Sequence, residues 1–171
     1  MHGRLLVADV DEAHGFILLE RVGEFLGRDQ NLGVLFVAGL DVRYRWSSGI
    51  GPVMQIAAML IVIAGYALVV WATGVNAFFS QVVRIQSERG HTVVSSGPYR
   101  NVRHPAYVGM LLVVLGAPIM LGSWWALIPG AISAVLMIVR TALEDRTLQA
   151  ELPGYHDFAQ HTRYRLLPGV W

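Results

Sequence analysis

A long stretch without charge is the feature that most constrains the fold of this chain. Residues 46–83 contain no Asp, Glu, Lys or Arg, and residues 53–72 are almost continuously apolar. At about 1.5 Å per residue, a helix over that apolar segment extends about 30 Å, the thickness of the hydrocarbon core of a bilayer. The sequence therefore predicts a transmembrane helix over residues 53–72.

The composition agrees with a membrane protein and excludes several other classes. Charged residues make up 15% of the chain and apolar residues 54%, whereas soluble domains usually carry about 25% charged residues. The chain has no Cys, which excludes a disulfide scaffold and a Cys-ligated metal site. Its formal net charge of +1 gives no reason to expect a nucleic-acid partner.

A second uncharged stretch predicts a helical hairpin. Residues 104–139 contain no Arg, Asp or Glu, and Gly122-Ser123 divides them into two apolar arms, residues 106–121 and 124–139. Each arm is close to the shortest length that spans a bilayer, and a Gly-Ser pair is typical of a turn. We therefore predict an all-α polytopic membrane protein with one transmembrane helix, a loop, and a transmembrane hairpin.

Arginines near the hairpin predict its orientation. They flank both of its open ends and are absent from its tip: Arg84, Arg89, Arg100 and Arg103 precede it, and Arg140 and Arg146 follow it. By the positive-inside rule, the open ends face the cytoplasm, in what we expect to be a bacterial inner membrane. Arg43 and Arg45 then lie on the outer side, against the same rule.

The segment before the first predicted span has a different character. Residues 31–40 are apolar but too few to cross a bilayer. We interpret residues 1–52 as an atypical N-terminal segment, in which a span is truncated or replaced, and residues 53–171 as one membrane domain.

The loop before the hairpin contains the densest group of polar side chains. Residues 86–107 include Gln, two His, two Tyr and several Arg. Such donors, acceptors and aromatic faces beside a helix N-terminus suit a polar cofactor at the membrane surface. The same arginines and tyrosines are also typical of a membrane interface, so composition alone leaves both interpretations open. The two histidines, His91 and His104, are too few and too far apart to form a metal site by themselves.

A second polar group follows the hairpin. Arg140 and Glu144 are four residues apart and share one face of a helix. They form either a local ion pair, worth a few tenths of a kcal/mol, or two opposite charges that contact a ligand at the membrane surface. Their spacing does not decide between these alternatives.

The two polar groups together resemble a known family. The motif residues are His91-Thr-Val-Val-x-Ser-Gly97-x-Tyr99, Arg103-His104-Pro105-x-Tyr107-x-Gly109 and, after an apolar hairpin, Arg140-x-x-x-Glu144-Asp145. This pattern resembles the isoprenylcysteine carboxyl methyltransferase and phospholipid methyltransferase superfamily of integral membrane enzymes. The resemblance covers residues 75–171, including Tyr155-x-x-Phe158 and Arg165-Leu-Leu-Pro168.

The resemblance implies a function and a set of site residues. It implies S-adenosylmethionine as cofactor and a lipophilic acceptor that enters from the bilayer, in the first place the carboxylate of an isoprenylcysteine-like molecule or another lipid acid. It implies that Arg140 is catalytic and contacts the substrate carboxylate. The cofactor pocket is then formed by Gln86, His91, Thr92, Val93, Val94, Tyr99, Arg103, His104, Pro105, Ala106 and Glu144.

Two other classes of function stay open at this point. Membrane-embedded sterol reductases resemble this superfamily in fold but use NADPH, so the chain could instead be an oxidoreductase. It could also be a non-catalytic membrane protein that only packs against others. Cofactor binding distinguishes the three alternatives.

Overall fold

The computed structural model describes residues 30–79 and 92–171. Within these residues the chain is helical and has no strand, which confirms the predicted all-α fold. The helices are α1 (Gln30–Tyr44), α2 (Pro52–Val75), a short 3-10 helix (Gly97–Arg100), α3 (Pro105–Met120), α4 (Leu127–Glu151) and α5 (Tyr155–His161).

Helix α2 confirms the predicted transmembrane helix. It begins one residue before the predicted segment, with Pro52 in its first turn, and ends three residues after it. Val53, Ile63 and Val70 are exposed on its outer surface, as expected for side chains that contact lipid. Both α2 and α4 are long and apolar enough to cross a membrane.

Helices α3 and α4 form the predicted hairpin. Helix α3 matches the first predicted arm to within one residue, and Gly122 in the turn has a φ of +79°, a conformation that glycine adopts without steric cost. Helix α4 differs from the second arm, because it begins three residues later and continues to Glu151. The helix continues past the apolar segment because Arg140 and Asp145 are buried inside the protein.

Two facing glycines bring α2 and α3 into close contact. A Cβ atom on Gly109 would lie 2.5 Å from the carbonyl oxygen of Gly65, and one on Gly65 would lie 2.7 Å from the carbonyl oxygen of Gly109. Small residues allow this approach between helices in membranes, where close packing stabilises the helix pair. The contact fixes the position of α3 along α2.

Helix α1 packs on the hairpin turn. It includes the apolar residues 31–40 and continues four residues beyond them. Near its end, the buried Asp41 carboxylate accepts hydrogen bonds from the Ser47 amide at 2.7 Å and from the hydroxyls of Ser47 and Ser123 at 2.5 Å. Because Ser123 lies in the turn, this carboxylate joins α1 to the hairpin.

The polar loop and the hairpin turn lie at opposite ends of the bundle. At one end, the Gln55 side chain near the start of α2 donates to the Met120 carbonyl at 3.5 Å. At the other end, the side-chain amide of Asn76, just after α2, donates to the Tyr99 hydroxyl at 3.1 Å. The start of α3 and the end of α4 also lie at this second end, where the polar side chains collect.

Candidate active site

A cavity opens at the loop end of the bundle. It lies between the end of α2, the loop before α3, the last turns of α4, and α5. Its lining residues are Asn76, Phe78, Phe79, Thr92, Val93, Val94, Tyr99, Arg103, His104, Ala106, Tyr107, Glu144, Leu148, Leu152, Tyr155 and Phe158.

Most residues predicted for the cofactor pocket meet around this cavity. Pro105 does not line it but is buried in the first turn of α3. Gln86 and His91 lie outside the described residues. The predicted residues that line the cavity are Thr92, Val93, Val94, Tyr99, Arg103, His104, Ala106 and Glu144. Their role in binding a cofactor stays a prediction.

Arg140 contacts the cavity wall from behind, through Tyr107 and Glu144. Its side chain is buried and does not line the cavity. Its Nε donates to the Tyr107 hydroxyl at 3.0 Å, and that hydroxyl donates to Glu144 Oε2 at 2.6 Å. The Arg140 Nε to Glu144 Oε2 distance is 3.9 Å, so the two charges are paired with the hydroxyl between them. A contact between Arg140 and a substrate carboxylate stays a prediction.

The fully buried Asp145 joins the loop to α4. Its carboxylate accepts hydrogen bonds from Arg165 Nε at 2.8 Å and from the Tyr155 hydroxyl at 3.0 Å. Arg103 Nε lies 3.0 Å from Oδ1 as an ion-pair contact without the angle of a hydrogen bond. His104 Nε2 lies 3.3 Å from the same oxygen. A buried carboxylate with several charged or polar partners holds them in a defined geometry, so Asp145 positions three residues of the cavity wall.

Backbone hydrogen bonds hold the same wall from the other side. The Arg103 amide donates to the Tyr164 carbonyl at 2.9 Å, and the His104 amide donates to the Arg165 carbonyl at 3.0 Å. Pro105 has no amide hydrogen to satisfy and begins α3 directly after this pair. The segment after α5 therefore fixes the entry of the loop into α3.

The cavity wall has opposite charges and neutral phenols. Arg103 is positive and Glu144 is negative on this wall. Burial raises the pKa of Tyr99. Burial, together with the neighbouring negative charge of Asp145, raises the pKa of Tyr155. Both phenols therefore keep their protons and add aromatic surface without charge.

Sequence reasoning missed several residues of this site. Leu148 and Leu152 line the cavity, and their spacing of four and eight residues from Glu144 was a signal that one helical face continues. Asn76 also lines the cavity, and the sequence analysis did not single it out. Asp145 stands next to Glu144 in the sequence motif, and nothing in its spacing indicates that it is buried.

Comparison with known proteins identifies the family. The model of the family described as phospholipid methyltransferase matches residues 53–152. The chain belongs to the phospholipid methyltransferase family. The matched range begins in α2 and ends just after α4, so three of the four walls of the cavity lie within it.

Individual relatives include proteins with two kinds of name. The cobalt-zinc-cadmium resistance protein CzcN of Cupriavidus metallidurans is 37% identical over 81 residues, which cover 46% of this chain and 37% of that protein. The protein-S-isoprenylcysteine O-methyltransferases of Rattus norvegicus and Homo sapiens are 33% and 29% identical over 110 residues, which cover 63% of this chain and 36% of theirs. The chain thus matches little more than a third of the length of each of these relatives.

Proposed function

We propose that this chain is an S-adenosylmethionine-dependent methyltransferase that acts on a lipophilic carboxylate at the cytoplasmic face of a membrane. The observation that carries the proposal is a cavity with a positive Arg103 and a negative Glu144 on its wall, at the open end of an apolar hairpin. Family membership and the names of the isoprenylcysteine O-methyltransferase relatives support the same reaction type.

The residues around the cavity fit the chemical groups of this cofactor. S-adenosylmethionine carries a carboxylate, an ammonium group, a positive sulfonium and an adenine ring, and it supplies an electrophilic methyl group. The Arg103 guanidinium suits a carboxylate, and the Glu144 carboxylate suits a cation. The rings of Tyr99 and Phe158 offer faces that attract cations and stack on flat rings. The cavity therefore has a partner for each charged group of this cofactor.

Tyr107 and Arg140 hold the Glu144 carboxylate in place. The Tyr107 hydroxyl donates to Oε2, and the buried Arg140 guanidinium donates to that hydroxyl from behind. Among the described residues, no hydrogen bond to Glu144 Oε1 is present, so this oxygen can accept from a ligand in the cavity. We assign Glu144 to cofactor binding and Arg140, through the family resemblance, to the acceptor carboxylate.

A carboxylate acceptor agrees with the charges at this site. A carboxylate is ionised at neutral pH, so the transfer requires alignment of the reacting atoms and no general base. An arginine can hold such a group with two parallel hydrogen bonds. An amine acceptor would first have to lose a proton, and Arg140 would repel its charged form.

Cofactor binding is tested by calorimetry on the purified protein in detergent. We expect S-adenosylmethionine to bind with a dissociation constant in the micromolar range, about −7 to −8 kcal/mol, and S-adenosylhomocysteine to compete. Glu144→Gln should weaken this affinity, whereas Glu151→Gln should leave it unchanged because Glu151 is exposed at the end of α4. Binding of NADPH in place of S-adenosylmethionine would make the protein an oxidoreductase, and binding of neither would remove the enzymatic proposal.

The acceptor is tested by methyl transfer from labelled cofactor. We expect methylation of a prenylated cysteine with a free carboxylate and none of the same molecule as its methyl ester. Arg140→Ala should cut this turnover by about a hundredfold, as expected for loss of a charge-assisted contact of about 3 kcal/mol, and should weaken cofactor affinity by a smaller factor, because Arg140 also supports Glu144 through Tyr107. Transfer only to the amine of phosphatidylethanolamine vesicles would contradict the proposed acceptor.

A further inference from the structure

The Arg165 side chain lies between an aromatic ring and a buried carboxylate. Its Nε donates to Asp145 Oδ2 at 2.8 Å, and its guanidinium carbon lies 4.9 Å from the centroid of the Trp171 ring. Aromatic faces attract guanidinium groups at this distance. The positive guanidinium is thus held between the negative Asp145 carboxylate and the electron-rich face of the Trp171 ring.

Backbone and side-chain contacts hold Trp171 in this place. The amides of Arg165 and Leu166 donate to a main-chain oxygen of Trp171 at 3.0 and 3.1 Å, which folds the chain back on itself. Leu166 is buried with Tyr107 and Met137, and Trp171 packs against this cluster. The position of the ring is therefore fixed by α3 and α4 as well as by its own segment.

Arg165 restrains the cavity wall by two routes. Its side chain fixes Asp145, whose other oxygen contacts Arg103 and His104 and accepts from Tyr155. Its carbonyl oxygen accepts directly from the His104 amide at 3.0 Å. Both routes end on residues that line the cavity, although neither Arg165 nor Trp171 lines it.

We propose that Trp171 is a positioning residue for the cavity: its ring holds Arg165 in the orientation that fixes Asp145 and, through it, Arg103 and His104. Trp171 lies outside the range that the family model matches. The inference rests on the proposed function only where cofactor binding is used to measure it.

The first test measures amide hydrogen exchange at Arg103 and His104 in the full chain. Trp171→Leu keeps an apolar side chain but removes the ring face, and we expect it to raise exchange at these two amides about tenfold. Trp171→Phe keeps a ring and should restore slow exchange. Val170→Ala is the matched control, because Val170 is the exposed neighbour of Trp171, and it should leave exchange unchanged. Exchange in α2 should be the same in all variants, which separates a local change from general unfolding.

The second test measures affinity for S-adenosylmethionine on the same variants. We expect Trp171→Leu to weaken the affinity about fivefold or more and Trp171→Phe to stay near the wild type, in line with loss of a preorganised wall. If the wild type binds no S-adenosylmethionine, the proposed function fails while the exchange experiment still decides the positioning role. If the wild type binds and Trp171→Leu changes neither exchange nor affinity, Trp171 has no positioning role.

Discussion

The buried carboxylate of Asp145 gives the sharpest prediction on stability. Asp145→Asn keeps the shape of the side chain but removes its charge and replaces one acceptor oxygen by a donor. Four side chains direct nitrogen or hydroxyl groups at this carboxylate: Arg103, Arg165, Tyr155 and Gln149. The new amide group must therefore face at least one donor. The charge of Arg103, whose side chain is only 7% exposed, also loses its partner.

The cost follows from these contacts. Removing one partner of a buried ion pair typically costs about 3–5 kcal/mol, because the other charge stays buried without compensation. Arg165 is about a quarter exposed, so water replaces part of its lost contact and it adds little. For a chain of this length, about 2–4 °C of melting temperature correspond to 1 kcal/mol, which predicts a decrease of roughly 6–20 °C.

Thermal unfolding in one detergent measures this decrease. Glu151→Gln makes the same chemical change at an exposed position of the same helix, and we expect it to shift the melting temperature by less than about 2 °C. If Asp145→Asn melts within about 2 °C of the Glu151→Gln variant, Asp145 does not hold the loop to α4.

Two further predictions concern how the helices pack. Gly109→Ala should destabilise the protein by about 1–3 kcal/mol because its Cβ would meet the Gly65 carbonyl, whereas Gly74→Ala, with open space around it, should be neutral or stabilising in the same unfolding assay. Ser123→Ala should cost about 1–3 kcal/mol, because it removes a donor to the buried Asp41 and the acceptor of the Ala126 amide. The exposed Ser48→Ala is its control, and an equal effect of the two serine variants would contradict the role of Asp41 in holding α1.

The sequence predicts the elements whose boundaries depend on solvent alone. Helix α2 could be located because its uncharged segment matches the bilayer thickness, whatever it packs against. Helix α3 is shorter than a full span, and it could be located because Pro105 and Gly122 bound its apolar segment. The end of α4 could not be located in this way. Its charged residues continue the helix because they are paired inside the protein, and those partners come from distant parts of the chain.

The candidate active site could likewise be predicted from the sequence only in part. Motif residues identified most of the cavity wall, because a family resemblance carries information on tertiary contacts that spacing does not. The spacing of Arg140 and Glu144 correctly placed them on one face of a helix, but it could not show the Tyr107 hydroxyl between them. That hydroxyl comes from α3, so the contact exists only once the hairpin has closed.

The two ends of the bundle lead to a prediction on topology. The chain has no Cys, so a single introduced thiol reports its own position. Ser123, in the turn, is fully buried and would not react, whereas Trp125 in the same turn is half exposed and Ser95 at the cavity end is exposed. The positive-inside rule predicts that the cavity end faces the cytoplasm. We therefore expect Trp125→Cys to react with an impermeant maleimide on intact cells and Ser95→Cys to react only after the cells are permeabilised.

Ser123→Cys should stay unlabelled in both conditions, which controls for reagent that reaches buried positions. Labelling of Ser95→Cys alone on intact cells would reverse the orientation and place the cavity outside the cell, where cytoplasmic S-adenosylmethionine could not reach it.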